Sequence, residues 1–229
     1  MNFDIDAIAF DIDGTLYPDA AFWRLLGPFL LRSGRMLAEF GKVREEIRAW
    51  QDAHPGEANN DFFGWQASLL APKIGLSAEQ TRSLVDEKIY RGWIPLFAKV
   101  KPYSHLHESF AAFRAAGLKI GLLSDFLPSQ KGDVWGLAPL CDAVIGAEET
   151  GALKPSPVPF RALASALGVP ASRILYVGNS LRSDVRGARA AGMKTACIVG
   201  PLFGRFSRKA READISFTSY RQLTGFVLE

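Results

Sequence analysis

From about residue 101 onward the chain alternates helix-like with strand-like segments: "HESFAAFRAAG" runs into "LKIGLLS", "PFRALASALG" into "RILYVG", and "DVRGARAAG" into "MKTACIVG". That rhythm is the signature of a parallel sheet with crossover helices. Twice the join is spelled "RAAG", an apolar residue and a lysine, and Gly117 and Gly192 suit the left-handed position that ends a helix. One local turn recurs, and the chain is not a repeat protein.

A further strand lies far upstream. Residues 5–11, "IDAIAFD", form a short apolar run that ends at Asp11 and is followed by a glycine-containing turn. From about Tyr17 to Val100 the apolar residues fall at helical spacing, in segments 20–32, 36–52, 61–71 and 78–91, separated by signals such as "HPGE" and "PKIGLS". A block of about 80 residues far exceeds an ordinary connection of roughly 2 to 6 residues. The first strand therefore belongs with the alternating part, and the helical block interrupts it. The expectation is an α/β chain with a Rossmann-like parallel sheet core flanked by helices, residues 1–16 and 101–229, and an inserted α-helical domain, residues 17–100. A chain of 229 residues is long enough for that, and 48% hydrophobic with 22% charged residues excludes a disordered or fibrous chain.

Within "IAFDIDGTLYP", Asp11 and Asp13 are two residues apart, so in extended backbone both carboxylates point to one side, just beyond the strand's carboxyl end. Open α/β sheets bind ligands there. The crowding of two carboxylates is relieved by a hard cation such as Mg²⁺, which takes oxygen ligands and keeps waters and a substrate phosphate. The pair also allows one carboxylate to attack while the other moves a proton. The competing reading is a solvated Asp-Gly turn.

Three later segments bear on that choice. "LLSD" puts Ser124 and Asp125 at the end of a core strand, where a hydroxyl and backbone N–H groups can hold phosphate oxygens; a turn residue or helix cap is the alternative. "GALKPSP" offers Lys154, a point charge for phosphate or else a solvated surface lysine. "ILYVGNSLRSDVRGARAAG" carries Gly178, Asn179 and Ser180 at a strand end and Asp184 near a helix start, where an acidic residue also suits the helix dipole. Four polar strand-end sites in one sheet point away from coincidence.

The ordered set "FDIDGTLY", "LLSD", "GALKPSP" and "VGNSLRSDVRGA" resembles the haloacid dehalogenase superfamily of phosphohydrolases, specifically members with an α-helical (type C1) cap inserted after the first motif. The resemblance implies that Asp11 is the nucleophile that forms an aspartyl-phosphate and that Asp13 is the general acid and later base. It implies that Ser124, with Asp125, holds the phosphoryl group and that Lys154 offsets the charge shared by Asp11 and that group. Gly14 and Thr15 would shape the turn. Mg²⁺ would be held by Asp11, the Asp13 carbonyl, Asn179 and Asp184. The family's fourth motif usually begins Gly-Asp, whereas position 179 here is Asn, whose neutral amide should bind the metal more weakly and leave more weight on Asp184.

The resulting expectation is a cytoplasmic, Mg²⁺-dependent phosphomonoesterase of a small phosphorylated metabolite. The alternatives are a phosphomutase, or a non-catalytic phosphate-binding or partner-binding relic. Dehalogenation is disfavoured, because Asp13 supplies an acid/base group that it does not need. Substrate choice should lie in the cap, although Phe22, Trp23, Phe29, Trp50, Phe62, Phe63, Trp65 and Trp93 more often serve as helix-packing core. The net charge of +3 is spread without a basic block, so no nucleic acid is expected, and "GRFSRKAR", residues 204–211, reads as a solvated face. The acidic N-terminal stretch and the lack of an apolar run of roughly 18 residues speak against secretion and a membrane span. Cys141 and Cys197 show no metal or disulfide spacing, the three histidines show no ligand pattern, and a monomer or homodimer is expected.

Overall fold

The computed structural model describes residues 4–200 and 206–229, with backbone alone at 30–32. Residues 1–3 of the acidic N-terminal stretch and residues 204 and 205 of the basic segment lie outside the described residues. The strands β1 (Ala7–Phe10), β2 (Lys119–Ser124), β3 (Ala143–Gly146), β4 (Ile174–Gly178), β5 (Lys194–Ile198) and β6 (Ile215–Phe217) form one parallel six-stranded sheet in the order β3-β2-β1-β4-β5-β6. The order reverses at β1, and the crevice beyond the carboxyl ends of β1, β2 and β4 is where such a sheet takes a ligand.

Alternation explains why β1 is apolar throughout. Ile8 and Phe10 belong to one core cluster and Ala7 and Ala9 to another, so each face of the strand has its own packing layer and all four residues are buried. On the first face lie α5 (Leu106–Ala115) and α9 (Tyr220–Leu228), with Phe10 stacked on Phe110 at 4.7 Å between ring centroids. On the second lies α6 (Pro157–Leu167), whose Phe160 and Leu163 pack against Ala9, Leu123 and Tyr176. Gly117 and Gly192 take φ of 82° and 85°, the left-handed values expected of them after their helices. The short strands β3 and β6 have no counterpart among the expected segments: with four and three residues they carry too few positions for a period to show.

The helical insertion differs from expectation in one element. Segments 20–32 and 36–52 form a single helix, α1 (Asp19–Ala53), which continues through Pro28 and Gly34. Interior glycine costs only about 1 kcal/mol, and burial of Leu26, Phe40, Val43 and Ile47 on either side outweighs it. After α1 come α2 (Phe62–Ile74), α3 (Ala78–Val85) with a wider turn over Asp86–Tyr90, and the short α4 (Ile94–Phe97). The apolar cluster that contains Ile8 and Phe10 runs on without a break through Tyr17, Phe22, Phe40, Trp93 and Phe97, so the insertion shares its core with the sheet. Trp50, Phe62 and Trp65 pack on one another, as expected of helix-packing aromatics. Among the described residues no helix is long and apolar enough to cross a membrane.

Candidate active site

The site begins where β1 stops. The Asp11 N–H extends the ladder by donating to the Val177 carbonyl at 2.9 Å, and the chain then turns tightly, with the Thr15 and Leu16 N–H groups both donating to the Ile12 carbonyl. Gly14 makes this turn possible. Its φ is 77°, and a Cβ there would stand 2.0 Å from Asn179 Nδ2 and 2.3 Å from Asp19 Oδ1.

Asp11 is buried, and both of its carboxylate oxygens are engaged. Lys154 Nζ donates to Oδ1 at 2.7 Å, and Thr15 Oγ1 donates to Oδ2 at 2.8 Å. The same ammonium donates to Asp184 Oδ1 at 2.7 Å and to the Tyr176 hydroxyl at 3.2 Å. Burial pushes the Asp11 carboxyl up, to about 8, against the pull of Lys154, with the Asp184 and Asp13 charges adding to the rise. Burial alone would discharge Lys154, but Asp11 and Asp184 hold it protonated, well above its ordinary value. A buried lysine shared by two buried carboxylates is therefore the electrostatic centre of the site.

Asp13 lies at the sheet's ligand crevice, partly exposed, and its carboxylate accepts three bonds. Tyr17 donates to Oδ1 at 2.7 Å, while Ser124 Oγ and Lys131 Nζ donate to Oδ2 at 2.9 and 3.1 Å. Burial acts to raise its pKa, but Lys131, Tyr17 and Ser124 together hold it below the usual carboxylate range. Asp13 is thus a carboxylate here. To act as an acid it must take up a proton, and a phosphate that drew Ser124 and Lys131 to itself would remove two of the donors that oppose this.

Asn179 follows β4, and its Nδ2 donates to Asp19 Oδ2 at 3.0 Å. The Asn179 and Ser180 N–H groups donate to Asp184 Oδ2 at 3.1 and 2.9 Å, tying the widened helical turn Leu181–Arg186 back onto the strand end. Lys209, from the segment expected to be a solvated face, donates to the Asn179 carbonyl at 2.8 Å. Among the described residues no three His, Cys, Asp or Glu side chains converge to hold a metal by themselves. The oxygen donors at hand are the Asp11 and Asp184 carboxylates, the Asn179 amide and the Asp13 carbonyl. That all-oxygen set with few charges fits a hard divalent cation that retains water and takes substrate oxygens, and fits a soft metal badly.

Asp125 does not offer its carboxylate to phosphate. Arg48 Nη2 donates to Oδ2 at 2.7 Å and the Lys154 N–H donates to Oδ1 at 2.9 Å, so the side chain organises the loop of Lys154 and leaves only main chain for an anion. Burial acts to raise its pKa, but Arg48 and Lys154 hold it below the usual range. The structure brings Asp11, Asp13, Ser124, Lys154, Asn179 and Asp184 to one end of the sheet. It adds Tyr17, Asp19, Arg48 and Lys131, which sequence reasoning missed. Tyr17 alone carried a signal, since it stands four residues after Asp13 in the same turn; Arg48 is a single basic residue far from any motif, and Lys131 follows Ser124 by seven residues with no pattern linking the two.

A sequence profile of the haloacid dehalogenase-like hydrolases matches residues 5–192. The chain is 31% identical to a glyceraldehyde 3-phosphate phosphatase of Methanocaldococcus jannaschii, with 97% of each chain covered. It is 27% identical to a phosphoglycolate phosphatase of Neisseria gonorrhoeae, over 87% of this chain and 81% of the other. The crystal structure of a HAD phosphatase from Thermococcus onnurineus superposes with a TM-score of 0.61 at 21% identity, covering 97% of each chain.

Proposed function

The chain belongs to the haloacid dehalogenase-like hydrolase family and is a phosphatase of that type, and from that premise we propose that it is a Mg²⁺-dependent phosphomonoesterase that cleaves a small phosphorylated metabolite through an aspartyl-phosphate on Asp11. The observation that carries this reading is the 2.7 Å contact of Lys154 with both Asp11 and Asp184. It opposes the burial that pushes the Asp11 carboxyl up, and so favours the charged, nucleophilic form at the ligand end of the sheet.

In this reading an Asp11 oxygen attacks phosphorus, the bond from phosphorus to the alcohol oxygen breaks, and Asp13 gives that oxygen its proton. Asp13 then takes a proton from water, whose oxygen attacks phosphorus and releases Asp11 and inorganic phosphate. Ser124 and Lys131 bind the phosphoryl oxygens, and Lys154 limits repulsion between Asp11 and the incoming anion. Asp11, Asp184, Asn179 and the Asp13 carbonyl would hold Mg²⁺, which would supply further positive charge against the phosphoryl charge. Residues 1–16 and 101–229 act as the catalytic core, and residues 17–100 as a cap over the leaving group.

The test is phosphate release from a panel of phosphomonoesters with Mg²⁺ and with chelator, run beside Asp11→Asn. Release that needs both Mg²⁺ and Asp11 is expected, and release that persists in Asp11→Asn would refute the covalent route.

A further inference from the structure

A chamber of about 240 Å³ opens beside Asp13, between the sheet end and the helical insertion. Apolar side chains supply most of its wall, among them Phe22, Leu26, Phe40, Trp93, Phe97 and Phe126. An apolar cavity of about 150 Å³ suffices for a benzene ring. Helix α1 adds Gly41, which presents no side chain to the space: a Cβ built there would meet no atom within 4 Å.

The charges around the chamber narrow what it can take. Asp13 and Asp19 are among its lining residues. Among the described residues Arg44 is the only cation lining it; its Nη1 is paired with the buried Glu148 and its guanidinium packs over the Phe126 ring at 4.2 Å, while its Nη2 has no hydrogen-bond partner. Glu148 is further held by Tyr90, which donates to it at 2.8 Å. A leaving group that carried its own carboxylate would meet the Asp19 charge, while the nearby cations Arg44 and Lys131 have their charges balanced by Glu148 and Asp13. A small polyhydroxy group would leave the aromatic wall in contact with water or with nothing.

We propose that this chamber receives the leaving group, and that the substrate is the phosphomonoester of an apolar alcohol of aromatic or roughly six-carbon size. The inference rests on the phosphatase reading above, since Asp13 must face the departing oxygen for the rest of the alcohol to fall within this wall. It separates this chain from the substrates in its relatives' names, one bearing a carboxylate and the other a short polar aldehyde.

The experiment measures kcat/KM with Mg²⁺ for ethyl, butyl, hexyl and benzyl phosphate, beside phosphoglycolate and glyceraldehyde 3-phosphate. The alkyl alcohols have nearly equal leaving ability, so a trend reports binding of the chain. The expected result is a rise of about fourfold per methylene up to the capacity of the chamber, with hexyl and benzyl phosphate ahead of both polar esters. Gly41→Phe places a ring in the space, replaces a helical glycine, and should cut the hexyl-to-ethyl preference by about tenfold or more. Release with a flat alkyl series, or a preference for either polar ester, would overturn the proposal alone. Absence of release from every ester would overturn the phosphatase reading with it.

Discussion

Asn179 Nδ2 donates to Oδ2 of Asp19 at 3.0 Å, so the neutral residue of the fourth motif is paired with the first residue of α1. The pairing gives a physical reason for an amide there. Burial, the Asp13 charge and the Asp184 charge all act to raise the Asp19 pKa, and Lys209 and the Asn179 bond oppose them. Asn179→Asp would replace a donor with a like charge. In chelator it is expected to lower stability by about 1 kcal/mol, and in Mg²⁺ to gain more than wild type does, because the cation meets one more formal charge. Scanning calorimetry under the two conditions reads both effects. Equal metal-free stability would show that the Asp19 bond holds nothing.

Lys154→Met removes the shared cation and leaves Asp11 and Asp184 buried without it. Loss of one member of a buried charge network costs about 3–5 kcal/mol, and loss of a positioned charge at a phosphoryl site lowers kcat by roughly 10²–10³-fold. Urea unfolding and steady-state kinetics check the two numbers. Retained turnover would mean that Asp11 needs no ammonium to offset the burial that opposes its ionisation.

The strand ends were legible because each is a short apolar run that stops at a polar residue, and a parallel sheet brings such stops to one edge wherever they fall in the chain. Asp11 and Ser124 could be named on that ground before any distance was known, whereas Lys154 and Asp184 could be named only from the order of their motifs and the resemblance those motifs carry. Lys131, Arg48 and Asp19 could not. Each lies on a turn or helix whose orientation toward the site depends on long-range packing, and a lone charged residue in such a segment reads as solvated. Asp125 shows the same limit from the other side: its place at the end of β2 was clear, but its commitment to Arg48 depends on where α1 docks. The join of 20–32 to 36–52 was hidden because local glycine signals cannot register the burial that overrides them.

Asp13 predicts a pH dependence of stability. The unfolded chain takes up its proton near pH 3.9, and the folded chain only at a lower pH, because Lys131, Tyr17 and Ser124 favour the carboxylate against burial. The stability it contributes is therefore present above about pH 4 and is lost as the pH falls through the folded pKa. Wild type should exceed Asp13→Asn by about 1–2 kcal/mol at pH 6, and the gap should be smaller at pH 3 than at pH 6. Urea unfolding of both proteins at the two values measures it, and a gap that stays constant would contradict the pairing with Lys131.

Arg48 ties helix α1 to the loops that carry Lys154 and Asp125. Its Nη2 donates to Asp125 Oδ2 at 2.7 Å and its Nε to the Lys154 carbonyl at 3.0 Å, while the Lys154 N–H donates to the other Asp125 oxygen. A lysine cannot present both donors in one plane, so Arg48→Lys keeps the charge and loses the fork. The loop would then shift against Asp11, and a displacement near 1 Å is enough to cost about 10²-fold in rate. Arg48→Lys and Arg48→Ala should therefore both lower kcat, by about 10–100-fold, while only Arg48→Ala leaves Asp125 without a charge partner and loses a further 1–3 kcal/mol of stability or so. A wild-type kcat in Arg48→Lys would show that charge alone, and not the planar fork, places Lys154.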